Sequence, residues 1–421
     1  LQPGPPFRPG GLPACLHDAD TALVRREPLN DTNMIQSKLP DVGTTIFTTM
    51  SQLAVETGSI NLGQGFPDFD PDPALCQKVT EAMALGLNQY PPMPGLPALR
   101  AAISAKVAAL YGHTYDAGTE ITVTSGATQA LMAAIFCSAG AGDEVIVIEP
   151  GYDSYRPAIR LAGATPVAVA MRAPTDSDPY FRFDWDAVRT AITPRTRLLI
   201  INSPHNPTAT VLETSDLDAL EALVSQHGLL ILSDEVYEHI LFDGRPHLSM
   251  ATRPALAARS FIVSSFGKTY HTTGWKLGYC LAPAALMQEF RKVHQFMVFT
   301  SPTPMQHAYA DFVGRPETYT GLSAFYQEKR DFLAQGLAQT RFRPLPSAGT
   351  FFLLAQYHQV SDLNESDFSI WLTREHGVTV IPVAAFYQNP QAPASNHGIV
   401  RFCFAKKTPT LAQALERLQG V

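Results

Sequence analysis

SFIVSSFGKTYHTTGWKLGYCLA, residues 260–282, places one apolar run, a polar turn and a second apolar run in succession. The outer segments, SFIVSSF (260–266) and LGYCLA (277–282), have the length of buried strands, and the Ser, Gly, Thr and His residues between them break both. The same kind of text recurs upstream as ITVT (121–124), EVIVI (144–148), TPVAVAM (165–171), RLLIIN (197–202) and LLILSDE (229–235). Helical stretches separate these runs, among them TQALMAAIFCSA (128–139) and SDLDALEALVSQHG (215–228), where Ser215 is placed to cap and Gly228 to terminate. Short apolar runs alternating with helices predict an α/β fold, a seven-stranded, mostly parallel sheet covered by helices on both faces.

Beyond residue 320 the pattern changes to a long helix (LSAFYQEKRDFLAQGLAQ), strands FFLLA, VTVIPV and VRFCFA, and a last helix from Leu411 to Leu418, which together predict a smaller α+β domain. The expected division is a Pro/Gly-rich leader over 1–33, an arm and part of the small domain over 34–83, a large domain over 84–319 and the rest of the small domain over 320–421. The first methionine is Met34, and the leader reads either as a mobile extension or as an arm that docks on a partner subunit.

With 421 residues, 45% of them hydrophobic, the chain can bury a large core. A formal charge of -7 supplies no basic face for nucleic acid or for an anionic membrane. The cysteines (Cys15, Cys76, Cys137, Cys280, Cys403) are scattered and contain no C-x-x-C pair, which predicts a reducing, cytoplasmic setting without disulfides or zinc. No apolar run is long enough to span a bilayer, and no signal-peptide pattern is present. A small-molecule partner is the remaining expectation.

Lys268 would by default be a solvated surface group. Its surroundings argue otherwise: Ser264, Ser265 and Gly267 form a tight turn at a strand end, where open α/β sheets hold ligands, and Lys276 adds a second cation, so the set suits a phosphate. In TVTSGATQAL (122–131) a strand leads through Ser125, Gly126, Ala127 and Thr128 into a helix, a geometry that serves an anion or simply caps a helix. Asp234 in SDEVYEH closes an apolar run and needs a partner, either a local one or a ligand ring nitrogen, and Tyr237 lies three residues on. NSPHNPTAT (202–210) reads as a turn that also offers an Asn amide. LGQGFPD lacks the third glycine and the strand-turn-helix setting of a dinucleotide site, the histidines show no metal-ligand spacing, and His271 and His294 read as pocket or surface residues.

Taken in order, Asn206, Asp234, Tyr237, Lys268 and Lys276 resemble the class I/II aminotransferases, pyridoxal-phosphate (PLP) enzymes of fold type I, and the likeness runs from about Lys38 to the C-terminus. Within that family SKLPDVGTTIF, INLGQGFPDF, NQYPPMPG, PHNPTAT, SSFGKTYHTTGWKLGY and RFCFAKK are most similar to bacterial methionine aminotransferases, then to kynurenine aminotransferases (glutamine transaminase K). The resemblance implies that Lys268 carries PLP as a Schiff base and moves the substrate proton, that Asp234 keeps the ring nitrogen protonated, and that Tyr237 and Asn206 bond the ring's phenolic oxygen. It further implies phosphate contacts from Gly126, Ala127, Thr128, Ser265 and Lys276, with Tyr90 reaching in from a partner subunit of a homodimer, and Tyr152 stacked on the ring. Arg401 would fork the substrate's α-carboxylate and Gly65 would let the backbone approach it. Phe66, Phe386 and Tyr387 read equally as core or as side-chain pocket.

Two departures stand out: Lys276 where the wider class often has Arg, and Pro207-Thr208-Ala209 where it has P-T-G. The implied reaction moves an amino group from methionine or another apolar or aromatic amino acid to a 2-oxo acid by a ping-pong route. The alternatives are β-elimination from cysteine conjugates on the same scaffold and a PLP-binding regulatory domain, for which the leader is too short to supply a DNA-binding module.

Overall fold

The computed structural model describes residues 35–421, of which Leu39–Val421 form one unit; the 1–33 leader and Met34 lie outside the described residues. Among the described residues thirteen strands follow in chain order. They are β1 (Ile60–Asn61), β2 (Ile121–Thr124), β3 (Glu144–Glu149), β4 (Thr165–Ala170), β5 (Thr196–Asn202), β6 (Leu230–Asp234), β7 (Ser260–Ser265), β8 (Gly278–Leu281), β9 (Arg343–Pro344), β10 (Phe352–Gln356), β11 (Val378–Thr379), β12 (Ile381–Pro382) and β13 (Ile399–Cys403). The expected seven-stranded sheet is present in the order β2-β8-β7-β6-β5-β3-β4, parallel except for β8, which runs antiparallel to both neighbours.

The central strands read as unbroken apolar runs because both of their faces are covered. Along β5, Leu198 and Ile200 enter one core and Leu199 and Ile201 the other; β3 divides in the same way, Val145 and Val147 against Ile146 and Ile148. One face is covered by the helix Gly126–Ser138 through Ala130, Leu131, Ala134 and Ile135. The other is covered by Pro97–Tyr111, Thr214–His227 and Thr303–Val313. Each fully buried aliphatic side chain contributes roughly 1.5–3 kcal/mol.

The C-terminal region has its own apolar cluster, in which Leu333 and Leu337 of the helix Leu322–Leu337 meet Phe342, Phe402 and Leu411. A sheet ordered β12-β13-β10-β9 lies there. β1 pairs with β11, whereas the helix Pro73–Ala84 buries Leu75 and Val79 with Ile103 and Phe312 in the core of the large sheet.

Three local expectations are corrected. VTVIPV is two strands, because β11 pairs with β1 while β12 pairs with β13, and Pro382 has no N–H to prolong a ladder. Ser215 lies inside its helix; Glu213 is the N-cap, and the Asp216 carboxylate accepts the Glu213 N–H at 2.7 Å. His294 is neither pocket nor surface: it is fully buried in the helix Ala284–Met297, its ring stacked on Phe290.

Candidate active site

The parallel strands deliver their last residues to one edge of the sheet, where β5 ends on Asn202, β6 on Asp234 and β7 on Ser265. Asn202 and Asp234 are partners in register. The Asn202 amide donates to the Asp234 carbonyl at 2.8 Å and its oxygen accepts the Asn206 N–H at 2.7 Å, so it shapes the turn that presents Asn206. In that turn Ala209 stands at φ 57, a left-handed conformation that suits the glycine of the wider class and costs another residue roughly 1–2 kcal/mol.

The helix Gly126–Ser138 starts at this same edge, and its first turn has N–H groups without intrahelical partners. Gly126 sits at φ +73 against Lys276, itself left-handed at φ 55. At Gly278 a Cβ would lie 2.5 Å from the Ser264 carbonyl and 3.1 Å from the Ala127 nitrogen, so only glycine lets β8 approach both β7 and the helix start.

A cavity of about 210 Å³ opens here, and Gly126, Ala127, Thr128, Tyr152, Asn206, Asp234, Tyr237, Ser265, Lys268 and Lys276 all line it. Sequence reasoning also missed several contributors: Thr273 in the cavity wall, Asn202 as the organiser of its turn, and Tyr155, whose hydroxyl donates to Asp234 at 2.6 Å. Tyr155 carried no signal because its partner is 79 residues away.

Lys268 is half-buried and lines this cavity; burial lowers its pKa from 10.5 to about 8, with Arg401 and Lys276 pushing the same way and Asp234 opposing. Its ammonium donates to the Gly65 carbonyl at 3.2 Å and lies 5.7 Å from the centre of the Tyr237 ring. Burial raises Asp234 to about 6, against hydrogen bonds from Tyr155 and the Val236 N–H. Tyr152 packs edge-on against Tyr155 at 5.6 Å.

Arg401, 1% exposed on β13, reaches the same wall by donating to the Asn206 amide oxygen at 2.5 Å and to the Gly63 carbonyl at 3.1 Å. Its guanidinium carbon lies 3.8 Å from the centre of the Phe352 ring and 4.9 Å from that of Phe386, and burial pulls its pKa down to about 10. Its Nε is buried without a partner. Phe386 is thus core and neighbour to Arg401 at once, edge-on to Phe47 at 5.7 Å. Tyr387 is buried with its hydroxyl 3.1 Å from His397.

Phe66 is 46% exposed, beneath the Lys406 ammonium. Tyr90 is 83% exposed against Phe299 and contributes nothing to the cavity wall of its own chain. Among the described residues no cluster of His, Cys, Asp or Glu is placed to hold a metal ion, and no helix is long and apolar enough to cross a membrane.

The family model described as aminotransferase class I and II matches residues 57–418. A methionine aminotransferase of Escherichia coli is 49% identical over 385 residues, covering 91% of this chain and 97% of that protein. A probable N-succinyldiaminopimelate aminotransferase of Mycobacterium tuberculosis is 40% identical, covering 91% of this chain and 98% of its own. A kynurenine–oxoglutarate transaminase of Dictyostelium discoideum is 34% identical, with 89% and 94% covered. The solved structure of an Escherichia coli protein reported to have a methionine aminotransferase function superposes with a TM-score of 0.88 at 49% identity, covering 92% of this chain and 100% of that one. A buried lysine and carboxylate at the strand ends, an arginine beside them and these similarities over most of the chain lead to one conclusion: the protein belongs to the class I and II aminotransferases and is a PLP-dependent enzyme.

Proposed function

We propose that this aminotransferase takes methionine or another apolar or aromatic amino acid as donor and a 2-oxo acid as acceptor, with the residues named above in the roles their positions allow. The carrying observation is that Lys268 and Asp234, remote in sequence, line one cavity with Asn206, and that Arg401 donates to Asn206 from a setting packed with Phe47, Phe352 and Phe386. Apolar surroundings at Arg401 suit a substrate side chain without charge, and the 49% identical relative named for methionine supports the same choice.

The donor set fits PLP. Free N–H groups at Gly126, Ala127 and Thr128, with Ser265 and Lys276, suit a phosphate; Gly126 and Gly278 keep that cradle free of side chains. Asp234 would face the ring nitrogen, Tyr237 and Asn206 the phenolic oxygen, and Tyr152 the ring face. When bound, PLP supplies an electron sink beside the substrate's α-carbon.

The chain's own residues do the rest. Arg401 orients the α-carboxylate with a planar fork, and its unpartnered Nε is a donor still to be used. Lys268 holds the cofactor and, once freed, moves a proton at the substrate Cα. With a pKa of about 8 about one amine in ten is unprotonated at pH 7, against fewer than about one in a thousand at the ordinary value. Asp234 supplies a negative charge at the floor, and Tyr90 of a second copy completes the phosphate site in a homodimer. The four described cysteines are free, which supports a cytoplasmic location; recovery in an oxidising compartment with bridged cysteines would refute it.

The test is the absorbance spectrum of the purified protein beside Lys268→Ala, with PLP added and then L-methionine without acceptor. A lysine-dependent band that methionine converts to the amino form of the cofactor is expected. No band in the wild type sinks the cofactor roles; a band that aromatic amino acids convert and methionine does not sinks the methionine assignment.

A further inference from the structure

Beneath the cavity floor lies a second polar cluster that none of the roles above uses. Glu238 is buried, and its Oε1 accepts hydrogen bonds from Lys106 Nζ at 2.8 Å, the Ser264 hydroxyl at 2.5 Å and the Tyr279 hydroxyl at 2.9 Å. Its Oε2 accepts from the Tyr111 hydroxyl at 2.6 Å, and Lys106 also donates to the Tyr279 oxygen at 3.1 Å. Burial opposes charge on Glu238, but Lys106, His239 and these donors together hold its carboxyl well below the usual range. A second carboxylate, Glu235, accepts from Ser233 at 2.8 Å and from the Met250 N–H at 3.0 Å, with His247 at 2.8 Å.

For the strand residues Ser233 and Ser264 the placement follows from alternation, which sends neighbouring residues to opposite faces, whereas Glu235 and Glu238 lie in the turn just beyond β6. Ser264 precedes the cavity residue Ser265, Ser233 and Glu235 flank Asp234, and Glu238 follows Tyr237. Ser264 and Tyr279 are moreover a cross-strand pair, as are Ser265 and Gly278. Glu238 therefore clasps β7 to β8 at the neck of the loop that carries Lys268 and Lys276. Stability alone is a weak reason for such an ion pair, since apolar replacements of buried pairs are often neutral or better.

We propose that Glu238, held by Lys106, is a positioning residue for the reaction: by gripping Ser264 and Tyr279 it fixes the neck of the 265–278 loop and so the aim of Lys268 at the substrate. The proposal rests on the assignment of Lys268 to the cofactor, which the loss of the absorbance band in Lys268→Ala tests separately. Small displacements of a reacting group cost rate more than binding, up to about a hundredfold for roughly 1 Å.

The deciding experiment compares Ser264→Ala with Tyr111→Phe in the holoenzyme. Each removes one hydroxyl donor from Glu238, but only Ser264 links it to the lysine loop. Ser264→Ala is expected to shift the pH midpoint of the lysine-dependent band and to lower kcat for L-methionine by about tenfold, with KM changed by less than about threefold; Tyr111→Phe keeps both near wild type. The double variant Glu238→Leu with Lys106→Met, which removes the acceptor and strands no buried charge, is expected to behave as Ser264→Ala does. Equal effects from the two hydroxyl variants, or a wild-type midpoint and kcat in Ser264→Ala, overturn the proposal. Should the double variant not fold, the hydroxyl pair decides alone.

Discussion

Replacing Lys268 by methionine is expected to make the cofactor-free protein more stable at neutral pH while abolishing its chemistry. Lys268 has a pKa of about 8 in the folded chain against an ordinary 10.5, a difference worth ~3 kcal/mol at full burial. Lys268 is only half-buried and lines a cavity that water can enter, which reduces the figure to about 2 kcal/mol. The hydrogen bond to the Gly65 carbonyl, lost on substitution, returns about 1 kcal/mol, leaving a net gain of about 1 kcal/mol for methionine. The pH dependence has a definite sign. Below pH 8 both folded and unfolded chains are protonated at this site and the penalty on lysine is complete. Between 8 and 10.5 the folded chain releases its proton first, so the wild type gains stability relative to the variant as pH rises, and above 10.5 the penalty is gone. Urea unfolding of both cofactor-stripped proteins, followed by tryptophan fluorescence at about pH 7 and about pH 10, reads the difference directly, because all other titrating groups cancel between them. A variant that is less stable at neutral pH, or an advantage that does not shrink at the higher pH, would refute burial as the cause of the lysine's low pKa.

Two further substitutions test the substrate and cofactor ends of the site. Arg401→Lys keeps a buried cation but loses the planar fork, so kcat/KM for L-methionine should fall roughly 10- to 150-fold, the equivalent of one charge-assisted hydrogen bond of about 1.5–3 kcal/mol; a value within about twofold of wild type would remove Arg401 from the carboxylate site. Tyr90→Phe should weaken PLP retention by about tenfold while the proposed homodimer stays assembled by light scattering. An unchanged PLP dissociation constant would detach Tyr90 from the phosphate.

The large sheet was legible because its strands are buried on both faces. Runs such as RLLIIN and EVIVI each hold four consecutive aliphatic side chains, and the observed β5 and β3 differ from those readings by a residue. Short strands were harder. VTVIPV is as apolar as RLLIIN, yet it serves two sheets, and nothing local distinguishes a strand that changes partner after two residues. Ser215 had the right chemistry for a cap, but the helix begins earlier because the Asp216 carboxylate closes a box on Glu213. His294 read as a pocket or surface residue and instead is fully buried, its ring stacked on Phe290 one turn earlier in the same helix.

The sequence by itself determined the α/β class, the seven strands, the candidate residues Lys268, Asp234 and Asn206 at or just beyond strand ends, and the Gly126–Thr128 turn, because strand period, turn chemistry and family motifs are local properties. Only the tertiary structure decided the strand order, the hydrogen bond from Tyr155 to Asp234, the reach of Arg401 to Asn206 across 195 residues of chain, and the Glu238 clasp under the floor. These depend on which strand ends lie side by side, and on how far burial shifts a lysine or a carboxylate, quantities that packing sets and no local pattern encodes.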